Sequence, residues 1–62
     1  MELILNNEKK DMEFKGSAID LLKQLKLRRE EVVIKVNGKL APETTMLDGK
    51  DKVEVIQVVF GG

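Results

Sequence analysis

Apolar and polar residues alternate with a period of two near both ends of this chain, and a helical period appears once between them. Over residues 1–6, Met1, Leu3 and Leu5 share one side, while Glu2, Ile4 and Asn6 share the other. That predicts a strand with Ile4 on its otherwise polar face. Asn7-Glu8-Lys9-Lys10 reads as a polar turn, and residues 11–15 alternate again with Met12 and Phe14 inward, which completes a hairpin. Gly16 ends the alternation. Ser17, with Asp20 three residues on, resembles a capping box. Ala18, Leu21, Leu22 and Leu25 then form an apolar stripe, with Ile19 at its margin. A helix of about ten residues is too short to hold alone and must pack on a sheet. Lys26, Arg28 and Arg29 crowd its end, where cations suit the negative pole of the dipole; the competing use is contact with an acidic partner.

The second half repeats the strand pattern. Val32, Ile34 and Val36 alternate with Val33 and Lys35 over residues 31–37. Asn37-Gly38 predicts a tight reversal, because both residues tolerate positive φ. Lys39-Leu40-Ala41 folds back as a short strand, ended by Pro42. Residues 42–52 read as a connecting loop from which Leu47 dips into the core. In the last strand Val53, Val55, Gln57 and Val59 share one face, and Glu54, Ile56, Val58 and Phe60 the other. Both faces are apolar. A single helix covers one side of a small sheet, so Ile56, Val58 and Phe60 are left outward, enlarged by Ile4 and Val33 into an exposed patch.

The order strand, strand, helix, strand, short strand, strand, with the first and last strands central and parallel, defines an α+β fold of the β-grasp type. The expectation is a mixed four- to five-stranded sheet with one helix packed on one face. Residues 1–60 form one domain and residues 61–62 a flexible tail.

Composition removes most chemistry. The chain of 62 residues has no Cys and no His, which excludes disulfides, thiolate or imidazole metal ligands and imidazole catalysis. Its size leaves little room for a catalytic pocket beside a core, so the chain is not expected to be an enzyme. Eleven basic and eleven acidic residues cancel and are interspersed, and aromatic residues make up only 3%. Neither the positive footprint nor the stacking platform of a nucleic-acid binder is present. No apolar run approaches a membrane span, and the reading is a cytoplasmic chain with no membrane partner. One reactive group remains, the terminal carboxylate. It follows Gly61-Gly62, and two residues without Cβ atoms can enter a slot closed to any other pair.

Three stretches carry a resemblance over nearly the full length: Met1-Glu2-Leu3-Ile4-Leu5-Asn6, then Val36-Asn37-Gly38-Lys39-Leu40-Ala41-Pro42, then residues 52–62 with the ending Val58-Val59-Phe60-Gly61-Gly62. In these the chain resembles the ubiquitin-like sulfur carriers, above all the ThiS family and more distantly the MoaD family. Two departures stand out. Asp48-Gly49-Lys50-Asp51-Lys52 spreads the family's turn one position wider, and Phe60 stands where smaller residues are common.

The resemblance implies a reaction performed on this chain. A ubiquitin-activating-like adenylyltransferase of the ThiF or MoeB type binds it with ATP, and the Gly62 carboxylate becomes an acyl-adenylate. Sulfur from a persulfide then displaces AMP, giving a thiocarboxylate, and a thiazole synthase or similar enzyme accepts the sulfur. No cofactor is bound by the chain itself; the ATP is the partner's. Gly61 and Gly62 are then the reacting end, and Phe60, Val58, Ile56, Ile4 and Val33 the docking surface. Other readings share these features: a protein modifier joined through Gly62 to target lysines, or a MoaD-like carrier serving molybdopterin, tungstopterin or tRNA thiolation. A plain binding domain with incidental glycines is the reading from a different class.

Overall fold

The computed structural model describes residues 1–58, so the expectations placed on Val59, Phe60, Gly61 and Gly62 lie outside the described residues. Among residues 1–58 the first reversal is tighter than the apolar pattern predicts. Asn6 and Asn7 both take positive φ, 49° and 71°, a conformation their short polar side chains tolerate. Strand β1 (Glu2–Leu5) therefore turns at once into β2 (Glu8–Asp11), paired from Leu5↔Glu8 to Glu2↔Asp11. The strand expected over residues 11–15 is corrected to Glu8–Asp11, and part of the expected turn is strand. β2 is exposed throughout and purely charged, so it closes one edge of the sheet with residues that discourage further pairing. Met12 and Phe14 still pack against the core, although they lie beyond the strand.

Strand β3 (Gly16–Ser17) leads into α1 (Ala18–Gln24), shorter than the ten residues expected. Its N-terminus is capped by three hydrogen bonds. The Ser17 hydroxyl accepts from the Asp20 amide at 3.3 Å, and the Ala18 and Ile19 amides donate to the Thr45 and Glu43 carbonyls at 2.8 and 2.9 Å. Three of the four donors that a helix start leaves orphaned thus find partners. At the other end Lys26 takes φ 60°. Its amide donates to the Lys23 carbonyl at 3.1 Å, and the Leu27 amide reaches back to the Leu22 carbonyl at 2.9 Å. This is a Schellman ending with lysine where glycine is usual. Because a Cβ is disfavoured in that conformation, Lys26→Gly is expected to stabilise the domain by about 0.5–1 kcal/mol, read as a higher urea midpoint at unchanged slope. A lower midpoint would contradict this account of the helix end.

After a 3-10 turn (Arg29–Glu31) come β4 (Val32–Val36), β5 (Lys39–Leu40), β6 (Met46–Leu47) and β7 (Lys52–Gln57). The main sheet has five strands in the order β2-β1-β7-β4-β5, with β1 and β7 parallel and the other pairs antiparallel. β6 pairs with β3 in a separate two-stranded sheet inside the stretch expected to be loop. Two-residue strands carry no alternation to read. Leu47 of β6 is buried, as its place in the sequence predicts. The core joins Leu3, Ile34, Val53 and Val55 of the sheet to Ala18, Leu21 and Leu22 of the helix. Leu25 is only partly buried, so Leu21 and Leu22 are the helix's principal anchors.

The wider turn before β7 has a defined shape. The Asp51 carboxylate accepts from the Asp48 amide at 2.8 Å and from Asn37 Nδ2 at 3.0 Å. Asn37 Oδ1 in turn accepts from the Lys52 amide at 3.0 Å, which ties the β4–β5 reversal to the start of β7. The Asp48 amide first, then Asn37, and more weakly the N-terminal ammonium hold the Asp51 carboxyl below its ordinary value, against a small opposing effect of burial. A carboxyl depressed on folding adds stability above its unfolded pKa, and that stability is lost as pH falls through the folded value. The stability gap between wild type and Asp51→Asn is therefore expected to close in acid below the ordinary carboxylate range. Urea unfolding across the acid limb measures it; a gap independent of pH contradicts the latch.

Candidate functional site

Strand β7 places the candidate residues. Val53 and Val55 are fully buried toward the helix, so alternation turns Glu54, Ile56 and Val58 to the opposite side of the sheet. Register then fixes their neighbours. Val33 lies opposite Ile56, Lys35 opposite Glu54, and Leu40 opposite Lys35. On the parallel side, Ile4 is level with Glu54, and Lys9 of β2 is level with Ile4. One row across this face thus runs Lys9, Ile4, Glu54, Lys35, Leu40, with the Ile56–Val33 pair in the next row toward the end of β7.

Ile4, Val33, Ile56 and Val58 are each half-buried rather than open, so the patch is shallower than its composition predicts. Val33 and Ile56 are brought together directly; Ile4 is diagonal to Ile56, beside the Glu54 carboxylate. Leu40, which sequence reasoning had left without a face, is 71% exposed and is the most open apolar side chain of this surface among the described residues. Its signal was available: a two-residue Asn-Gly reversal dictates that Leu40 shares a face with Lys35. Charges flank the apolar residues on both sides, among them the Glu2–Lys9 pair at 3.4 Å. Glu54 and Lys35 lie between Ile4 and Leu40 in that row, so the face interleaves apolar residues with both signs of charge.

The end of β7 is held from two sides. The Val58 amide donates to the Glu31 carbonyl at 2.7 Å, which extends the ladder with β4. On the β1 side, Asn6 Oδ1 accepts from the Gln57 amide at 3.1 Å, and Asn6 Nδ2 donates to Gln57 Oε1. Phe60, Gly61 and Gly62, the remaining candidates, lie outside the described residues. One open surface depression of about 370 Å³ is lined by Ile19, Leu22, Lys23, Leu27 and Arg29, on the helix side. Among the described residues no group of three or more acidic side chains is placed to hold a metal ion.

A mixed sheet gripping one helix, with β7 at its centre, defines a β-grasp domain of the ubiquitin-like class. The profile of the ThiS family matches residues 3–62, and the chain belongs to that family of ubiquitin-like sulfur carriers. It is similar to the crystal structure of a thiamine biosynthesis protein (ThiS) from Geobacter metallireducens. That similarity has a TM-score of 0.67 and 25% identity and covers 100% of this chain and 99% of that one. A search of curated proteins finds no significant match.

Proposed function

We propose that this chain carries sulfur as a thiocarboxylate on Gly62 for thiazole formation in thiamine biosynthesis. One observation supports the reading above the others: the family match runs through the diglycine to the last residue, Gly62. A C-terminal carboxylate is ionised at neutral pH and unreactive toward acyl transfer. Attack of its oxygen on the α-phosphate of ATP releases pyrophosphate and leaves an acyl-adenylate. The terminal sulfur of a persulfide on a donor protein then attacks the acyl carbon as AMP departs with the electron pair, leaving an acyl disulfide. A thiol of the donor breaks that S–S bond, forming a disulfide and releasing the thiocarboxylate. The chain supplies no phosphate loop, so the groups that stabilise phosphate charge belong to a ThiF-type adenylyltransferase. It is that enzyme's substrate, not a catalyst.

The face carrying Ile4, Val33, Ile56, Val58 and, in sequence, Phe60 docks the partner, and Leu40 extends it. Gly61 and Gly62 supply reach and thinness. With ATP as co-substrate the reaction belongs in the cytoplasm, and no helix among the described residues is long and apolar enough to cross a membrane. The test is pyrophosphate exchange into ATP by the source organism's own ThiF-type enzyme. Exchange that depends on added chain is the expected result; an enzyme that binds the chain without exchange contradicts the proposal.

A further inference from the structure

Asn6 serves two ends at once. Its φ of 49° starts the hairpin reversal, so its backbone leaves the line of β1. The parallel ladder with β7 nevertheless continues one step further. The Asn6 amide donates to the Val55 carbonyl at 3.2 Å, the bond a strand residue would make. The next bond of a parallel ladder would run from the Gln57 amide to the Asn6 backbone carbonyl. Here the side-chain Oδ1 takes that place, at 3.1 Å from the Gln57 amide, and Nδ2 closes a second bond to Gln57 Oε1. A side chain thus stands in for the strand that has turned away. On the opposite edge the Glu31 carbonyl receives the Val58 amide at 2.7 Å. Residues 57 and 58, five and four positions before Gly62 in the sequence, are therefore held one from each side.

We propose that Asn6 and Gln57 form a clasp that sets where and in which direction the chain leaves the sheet, and so aims the Gly62 carboxylate at the α-phosphate in the activating enzyme. The inference rests on the carrier reading of Gly62. Its physical basis is tether length and orientation: each residue released from the sheet enlarges the volume the chain end explores, and misorientation at a reacting centre is costly. Both side chains are exposed and neither belongs to the core. Asn6 is a positioning residue in this account, since it touches no reacting atom.

The choice of variants separates the clasp from the turn. Asn6→Gly keeps the positive φ without strain and removes both side-chain bonds. Asn6→Asp keeps Oδ1 for the Gln57 amide, and the Gln57 side chain can rotate its NH₂ toward the new carboxylate oxygen. Adenylation of the full chain by the source organism's ThiF-type enzyme is followed with ATP, alongside hydrogen exchange at the Gln57 amide and a thermal melt. For Asn6→Gly the expected result is faster exchange at Gln57 and a kcat lower by about three- to tenfold, with KM within about twofold of wild type. Asn6→Asp restores most of both. A KM increase at unchanged kcat would assign Asn6 to docking and overturn the proposal, as would wild-type kinetics in Asn6→Gly. Wild-type chain that is never adenylated sinks the carrier reading and the aiming role together; turnover of wild type with an unaffected Asn6→Gly sinks the aiming role alone.

Discussion

Removing Gly61 and Gly62 is expected to abolish thiocarboxylate formation while leaving the unfolding free energy within about 0.5 kcal/mol of wild type. The deletion moves the terminal carboxylate onto Phe60 and withdraws about 7 Å of extended reach. It also sets an aromatic side chain where the mechanism calls for residues without a Cβ. None of the nine apolar residues buried among the described residues is removed. Mass spectrometry after incubation with the activating enzyme, ATP and a persulfide donor reads the loss, and denaturant unfolding reads the fold. Retained sulfur transfer would mean that the glycines are incidental. The gentler Gly62→Ala keeps the length and is expected to retain docking but slow transfer.

Ile56→Asp is expected to weaken the complex with the activating enzyme by at least about tenfold, in the range an interface anchor carries. Ile56 is half-buried beside Val33 at the middle of the uncovered face. A carboxylate there sits two residues from Glu54 on the same side of the strand and must be desolvated when a partner covers it. The cost to folding is about 1 kcal/mol, chiefly the poor strand propensity of aspartate. Val55→Asp is the control. Its neighbour Val55 is fully buried toward the helix, and an unpaired charge there is expected to unfold the domain. Titration calorimetry with thermal melts separates the two, and Ile56→Asp unfolding the chain would invert the two faces of β7.

These faces were legible in the sequence because β7 and β4 alternate over five or six residues and a single stretch of helical periodicity was available to cover them. Asn37-Gly38 and the inward Leu47 were legible for equally local reasons. Four features were not. The charged β2 has no apolar residue to mark its register, so the pairing set by Asn6 and Asn7 was displaced along the chain. The helix ends on a left-handed lysine, which carries no glycine to announce the stop. β3 and β6 owe their existence to each other across 29 residues or more of sequence, from Ser17 to Met46. The parallel β1–β7 pairing was expected from the two strands' apolar patterns, but the Asn6–Gln57 clasp spans 51 positions and depends on the exact register of that pairing, which no local pattern encodes. Of the candidate surface, the Ile56–Val33 pair was legible from strand alternation, whereas Leu40 required the register of β5; Phe60, Gly61 and Gly62 lie outside the described residues.

The most direct measurement is the intact mass of the chain purified from its own cells. Replacement of one carboxylate oxygen by sulfur adds about 16 Da, and the account predicts a population with that increment that disappears on deleting Gly62. A chain found only at its unmodified mass while its cells are making thiazole, or found joined through Gly62 to lysines of other proteins, would contradict it.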